Sequence, residues 1–202
     1  MQVLLLDDHA MVRDGITTLL AAHHPDWTVR QAANADEAVA LLQSDEGFDL
    51  AMVDLGLSGP SDPDIIAKLR DCRETLPLLI VSANDDPRTI RRCFKLGADG
   101  FVSKAAAADQ LVEAVNQLIA GEQVIPALAQ VEEANDPFEL LSPRQLDVAR
   151  LMADGQSNRE IGESLGIAEA TVKVHVHKVL RLLNVSSRAK ATVLARESGL
   201  TS

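Results

Sequence analysis

Val3-Leu4-Leu5-Leu6-Asp7-Asp8 is the stretch that decides the fold, because four apolar residues run without interruption into two carboxylates. A short continuous apolar run of this kind fits a strand covered on both faces, the usual situation in a parallel sheet. Further runs follow at Trp27–Ala33, Leu50–Val53, Leu78–Val81 and Gly100–Val102. Helical patterns fill the intervals, over 9–22, 35–44, 63–72, 87–96 and 106–120. Leu111, Ala114, Val115 and Leu118 carry the i, i+3, i+4, i+7 stripe of an amphipathic helix. Asp62-Pro63 and Asp86-Pro87 each read as a helix cap followed by proline in the first turn. Five strands alternating with five helices predict an α/β doubly wound, five-stranded parallel sheet over residues 1–120.

The pattern breaks over 121–138, where Gly121, Pro126, Glu132, Glu133, Asn135, Asp136 and Pro137 read as a linker. Residues 139–202 then show four helical signals and no strand, which predicts a second, all-α domain. Ser142-Pro143-Arg144-Gln145 and Ser157-Asn158-Arg159-Glu160 are capping boxes, and Gly155 and Gly166 are placed to end the helices they begin. A third helix runs over about 169–183 and stops near Asn184, and a fourth covers about 187–197.

Charge divides the chain in the same place. Residues 1–138 hold 10 Lys+Arg against 23 Asp+Glu, whereas 139–202 hold 9 against 7. Within 170–196 there are six basic residues and no acidic one. An acidic half joined to a half with one basic face points to two separate jobs. The run Val3–Leu6 is too short for a signal peptide, and no stretch reaches the ~20 apolar residues of a membrane span. Cys72 and Cys93 make no metal spacing and no disulfide framework, so buried free thiols and a cytoplasmic location are expected. Scarce aromatics and the absence of Tyr argue against stacking on single-stranded nucleic acid.

Ligands of an open parallel sheet bind beyond the carboxyl ends of its strands. Asp7 and Asp8 follow the first strand, Asp54 the third, Ser82 the fourth and Lys104 the fifth. If the strand order is 2-1-3-4-5, three carboxylates crowd one pocket. At ~4 Å and an effective dielectric of ~20, each pair repels by about 4 kcal/mol, so the cluster needs a cation. Hard oxygen ligands around a small open site favour Mg²⁺. In that setting Asp54 would be a nucleophile toward phosphorus, with Lys104 as a second positive charge and Ser82 as a hydroxyl donor to a phosphoryl oxygen.

Leu4-Leu5-Leu6-Asp7-Asp8-His9, Val53-Asp54-Leu55, Val81-Ser82-Ala83 and Phe101-Val102-Ser103-Lys104, with the approach Gly97-Ala98-Asp99-Gly100-Phe101, resemble the flavodoxin-like receiver domain of two-component response regulators. Residues 139–202 resemble the LuxR-type helix-turn-helix, a pairing similar to the NarL/FixJ-type regulators. The resemblance implies that Asp54 accepts phosphate from a sensor histidine kinase, that Ser82 and Phe101 switch on activation, and that Asp7, Asp8, Asp54 and the Gly56 backbone carbonyl bind Mg²⁺. It also implies a homodimer when phosphorylated or bound to DNA. The chain departs from the family pattern at Ser58, usually proline, and at Ala168, often serine. Extra prolines stand in Gly59-Pro60-Ser61-Asp62-Pro63, and Gly56 and Asn84 occupy positions that tune phosphoryl lifetime.

In the third helix of the second domain, Val172, Val176, Val179, Leu180 and Leu183 form an apolar stripe. Lys173, His177 and Arg181 lie at i, i+4, i+8 on another face, flanked by Val174 and Lys178. A basic helix face with no acidic residue suits the major groove of double-stranded DNA. Thr171-Val172-Lys173-Val174-His175 is similar to the LuxR-type recognition motif, so DNA contacts are expected from Thr171, Lys173, Val174, His177, Lys178, Arg181, Arg188 and Lys190. A phosphatase or transferase is the rival reading, but it needs a dedicated acid or base beside the nucleophile, often two residues on. Leu55 and Gly56 follow Asp54 and supply none. A protein-binding output module is the second rival, and the acid-free run 170–196 argues against it.

Overall fold

The computed structural model describes residues 1–44, 47–57, 64–126, 137–198 and 200, in two compact units, Met1–Val131 and Glu132–Ser202. Ser58, the proline-rich loop that follows it and the Asp62-Pro63 cap lie outside the described residues.

The first unit alternates β1 (Gln2–Leu6), α1 (Ala10–His23), β2 (Thr28–Ala32), α2 (Ala35–Ser44), β3 (Leu50–Val53), α3 (Asp64–Cys72), β4 (Leu78–Ser82), α4 (Pro87–Lys95), β5 (Gly100–Ser103) and α5 (Ala108–Ile119). All strand pairs are parallel and the order is β2-β1-β3-β4-β5. The sheet therefore has two buried faces, which is why its central strands read as unbroken apolar runs. Leu4, Leu6, Val53 and Ile80 pack with α2, α3 and α4, whereas Val3, Leu5, Met52 and Leu79 pack with α1 and α5. Asp86 caps α4 by accepting from the amides of Arg88 and Thr89, as the Asp-Pro pair predicts. Cys93 is fully buried and its thiol is pushed up to about 12 by that burial, partly countered by the Arg92 charge. Cys72 is half-buried, and both cysteines are free.

At the end of the sheet away from the acidic pocket, Arg70 of α3 acts as a clamp. Its guanidinium donates to the carbonyls of Gly97, Glu74 and Leu76 and to Asp99 Oδ2 at 2.7 Å. The same Asp99 oxygen accepts from the amide of Leu78 at the start of β4. One side chain thus joins α3, the entry to β4 and the loop that leads into β5.

Both ends of the expected linker are corrected. Val124 forms a parallel bridge with Gly100, so residues after α5 run along the outer edge of β5 and belong to the first unit. Phe138 lies in a 3₁₀ turn, Pro137–Leu140, and is buried in the core of the second unit. The reason is the same at both ends. Val124, Ile125 and Phe138 are apolar, and each has a core to enter.

The second unit contains α6 (Pro143–Ala153), α7 (Asn158–Leu165), α8 (Glu169–Leu182) and α9 (Arg188–Glu197). Both capping boxes form, Ser142 with Gln145 and Ser157 with Glu160. Gly166 ends α7 at φ 68°, and Asn184 follows α8 at φ 50°. Gly162 allows the turn between α7 and α8, since a Cβ there would stand 2.7 Å from the Ile167 carbonyl oxygen. Val148, Met152, Ile161, Val172, Val179 and Ala195 are among the residues of the core the four helices share. Among the described residues, no helix is long and apolar enough to cross a membrane.

Candidate functional site

The parallel register brings the carboxyl ends of β1, β3, β4 and β5 to one edge of the sheet. The amide of Asp54 donates to the Leu6 carbonyl, and that of Lys104 to the Ser82 carbonyl. Asp7, Asp54 and Ser82 are all buried there. Lys104 reaches in from beyond β5, and its Nζ lies 2.7 Å from both Asp7 Oδ2 and Asp54 Oδ2. Burial opposes its ammonium form, but hydrogen bonds and charge from Asp54 and Asp7 outweigh that and hold the Lys104 pKa above its ordinary value.

Asp8 is partly exposed at the mouth of the pocket. One ligand atom each from Asp7, Asp8, His9 and Asp54 lie within 4.8 Å of one another, close enough to share a metal ion. His9 was not among the sequence-predicted site residues. Its Nδ1 stands 2.6 Å from Asp8 Oδ1, and its amide donates to Asp7 Oδ1 at 2.8 Å. Arg13 adds a donor to the Asp7 carbonyl oxygen. Its place on the first turn of α1, one turn past His9, was the available signal.

Gly56 keeps the other side of the pocket open. A Cβ at that position would stand 3.1 Å from Asp54 Oδ2 and crowd the carboxylate. Ser82 Oγ accepts from the Asn84 amide at 3.1 Å, which leaves its O–H free to donate elsewhere. Phe101, on β5, is buried in the same core as Ile80, Ile90 and Phe94. The pocket therefore combines a carboxylate nucleophile, an ammonium, a hydroxyl and a set of hard oxygen donors. That composition suits transfer of a phosphoryl group with a small divalent cation present.

On α8, Lys173, Val174, His177 and Arg181 are exposed, and Thr171 and Lys178 are half-buried. Val172, Val179 and Leu183 are buried, and Val176 and Leu180 pack against them. His175, unflagged as core in the sequence, is buried with Val172 and Val179, to which it stands at i+3 and i−4. Lys173 Nζ pairs with Glu169 Oε1 at 2.9 Å on the exposed surface. Lys190 on α9 is exposed and its Nζ donates to Ser186 Oγ. Arg188, among the expected DNA contacts, is half-buried, and its guanidinium donates to Asn158 Oδ1 and the Gln156 carbonyl. Burial lowers its pKa from the ordinary arginine value. The arginine ties α9 to the start of α7, and these donors face the protein.

Residues 3–116 match the family model of the response regulator receiver domain, and residues 139–195 match that of the bacterial regulatory proteins of the luxR family. The chain is 34% identical to the nitrate/nitrite response regulator protein NarP of Escherichia coli, over 96% of this chain and 93% of that one. It is 32% identical to the glycerol metabolism activator of Pseudomonas putida, over 99% and 97% of the two chains. Among solved structures it is similar to the response regulator ChrA of a heme-sensing two-component system, with 28% identity, a TM-score of 0.51 and 98% coverage of both chains.

Proposed function

Because this chain belongs to the two-component response regulators that join a receiver domain to a LuxR-type DNA-binding domain, we propose that Asp54 accepts a phosphoryl group from a sensor histidine kinase and thereby switches the second unit on double-stranded DNA. The observation that carries this is the double ion pair of Lys104, at 2.7 Å from Asp7 and from Asp54. It supports a pocket that already holds one cation against the acceptor and has carboxylates left for another.

In the proposed step an Asp54 oxygen attacks phosphorus, a P–O bond forms, and the P–N bond to the kinase imidazole breaks. The imidazole leaves with the electron pair and takes up a proton. Asp7, Asp8 and Asp54, with the Gly56 backbone carbonyl, would hold Mg²⁺, which neutralises charge on the phosphoryl oxygens when bound. Lys104 turns from the carboxylates to the phosphoryl group, and the Ser82 hydroxyl donates to one of its oxygens. Relocation of Ser82 repacks Phe101 and alters the receiver surface around β5.

On the second unit, Thr171, Lys173, Val174, His177, Lys178 and Arg181 of α8 would enter the major groove, and Lys190 would hold a phosphate. Arg188 then acts by fixing α9 against α7. A phosphorylated homodimer would bind paired half-sites about one helical turn apart, ~10 bp. A cytoplasmic location follows from this role. Incubation with a small acyl-phosphate donor and Mg²⁺ tests the acceptor. Intact-protein mass spectra should show one added phosphoryl group on the native chain and none on Asp54→Asn. Equal modification of the variant would remove Asp54 from its role.

A further inference from the structure

We infer that residues 122–126 form a releasable strap on β5, attached in the unmodified receiver and detached when Asp54 carries a phosphoryl group, so that they lengthen the tether to the DNA-binding unit. This rests on the phosphorylation reading above and adds a route by which the site reaches the output unit.

Two backbone bonds join Val124 of the strap to the β5 segment. The Val124 amide donates to the Asp99 carbonyl at 3.2 Å, and the Phe101 amide donates to the Val124 carbonyl at 3.0 Å. Glycine eases the close approach at the bridge: a Cβ on Gly100 would crowd Leu79 Cδ1 at 3.0 Å, Leu118 Cδ1 at 3.1 Å and Val124 Cβ at 3.2 Å. Val124 packs on the core beneath α1 and α5, and Ile125 on the core that contains Phe101. Phe101, Val124, Ile125 and Pro126 line one groove.

Pro126 limits the attachment. In this parallel register the next bond would run from residue 126 to the Phe101 carbonyl, and proline has no N–H to make it. Among the described residues the strap makes one bridge, and Pro126 supplies no donor for a second.

β5 lies between β4 and the strap. Lys104, directly after β5, is drawn toward a phosphoryl group on Asp54, and Ser82 beside it moves the same way. The Phe101 that repacks when Ser82 moves is also the residue whose amide holds the Val124 carbonyl, so that repacking loosens the bridge at the start of β5. Release frees residues 122–126, which adds up to roughly 17 Å of reach at ~3.3–3.6 Å per extended residue.

The experiment measures amide hydrogen exchange at Phe101 and Val124 in the full chain, with and without acyl phosphate and Mg²⁺, with intact mass read on the same samples. Both amides are expected to exchange at least tenfold faster in the modified protein. Pro126→Ala restores a donor opposite the Phe101 carbonyl, so exchange slows in both states and the difference shrinks. A chain that is modified by mass but exchanges at an unchanged or slower rate overturns the strap and leaves the acceptor reading standing. A Pro126→Ala chain that exchanges like the native one in both states also overturns it. A chain that takes no phosphoryl group overturns both.

Discussion

Lys104 Nζ stands 2.7 Å from Asp54 Oδ2, although the two residues are separated by 50 positions in the chain. The contact exists because β3 and β5 end at the same edge of one parallel sheet, on either side of β4. It places a positive charge against the proposed nucleophile before any substrate arrives.

Lys104→Met leaves Asp7 and Asp54 facing each other without their ammonium. Deleting one partner of a fully buried pair costs ~3–5 kcal/mol, and the 20% exposure of the Lys104 side chain reduces this to about 1–3 kcal/mol. Mg²⁺ should recover part of the loss by taking over the carboxylates. The folded pKa of Lys104 is raised, so its contribution is complete below the unfolded lysine value of ~10.4. It is lost as pH rises through the higher folded value. Urea denaturation of the two proteins should give a constant stability difference from pH 7 to about 10 and a shrinking one beyond. A difference that fades between pH 6 and 8 would show that another group carries it.

Arg70→Ala removes the clamp and leaves Asp99 buried beneath β4. The expected loss is about 3 kcal/mol in the first unit, with the second unit unaffected. Arg70→Lys should recover little, because one ammonium cannot span the carbonyls of Gly97, Glu74 and Leu76 as well as Asp99. Denaturation followed at Trp27, which packs in the first unit, reads this directly.

Lys173→Ala should weaken binding to a specific DNA site by ~1–3 kcal/mol. Lys190→Ala should weaken all duplexes alike and reduce the salt slope by about one counterion. Arg188→Ala should lower the melting temperature of the second unit, because it breaks the tie to Asn158 and Gln156. Filter retention across a salt series, paired with thermal melts, separates the three.

The acidic pocket was legible because its residues stand directly at the ends of apolar runs, where Asp7, Asp54, Ser82 and Lys104 break the pattern. Ser142, Ser157 and Asp86 were legible for a similar reason, since a cap and its partner lie within three residues. What escaped depends on distant chain. Val124 looks like linker until Gly100 is beside it, and Arg188 looks like a free cation until Gln156, 32 positions away, is seen to accept from it. Arg70 and Asp99 are 29 positions apart and neither stands out locally. His175 was within reach: its spacing from Val172 and Val179 puts it on the buried stripe, but its polarity hid it.

The most direct test of the phosphorylation switch is the affinity of the native chain and of Asp54→Asn for a duplex DNA pool, each with and without acyl phosphate and Mg²⁺ at matched salt. The native chain should bind at least tenfold more tightly after treatment, and the variant should not change. An equal response of the two proteins, or no response from a native chain shown by mass to be fully modified, would contradict a switch operated from Asp54.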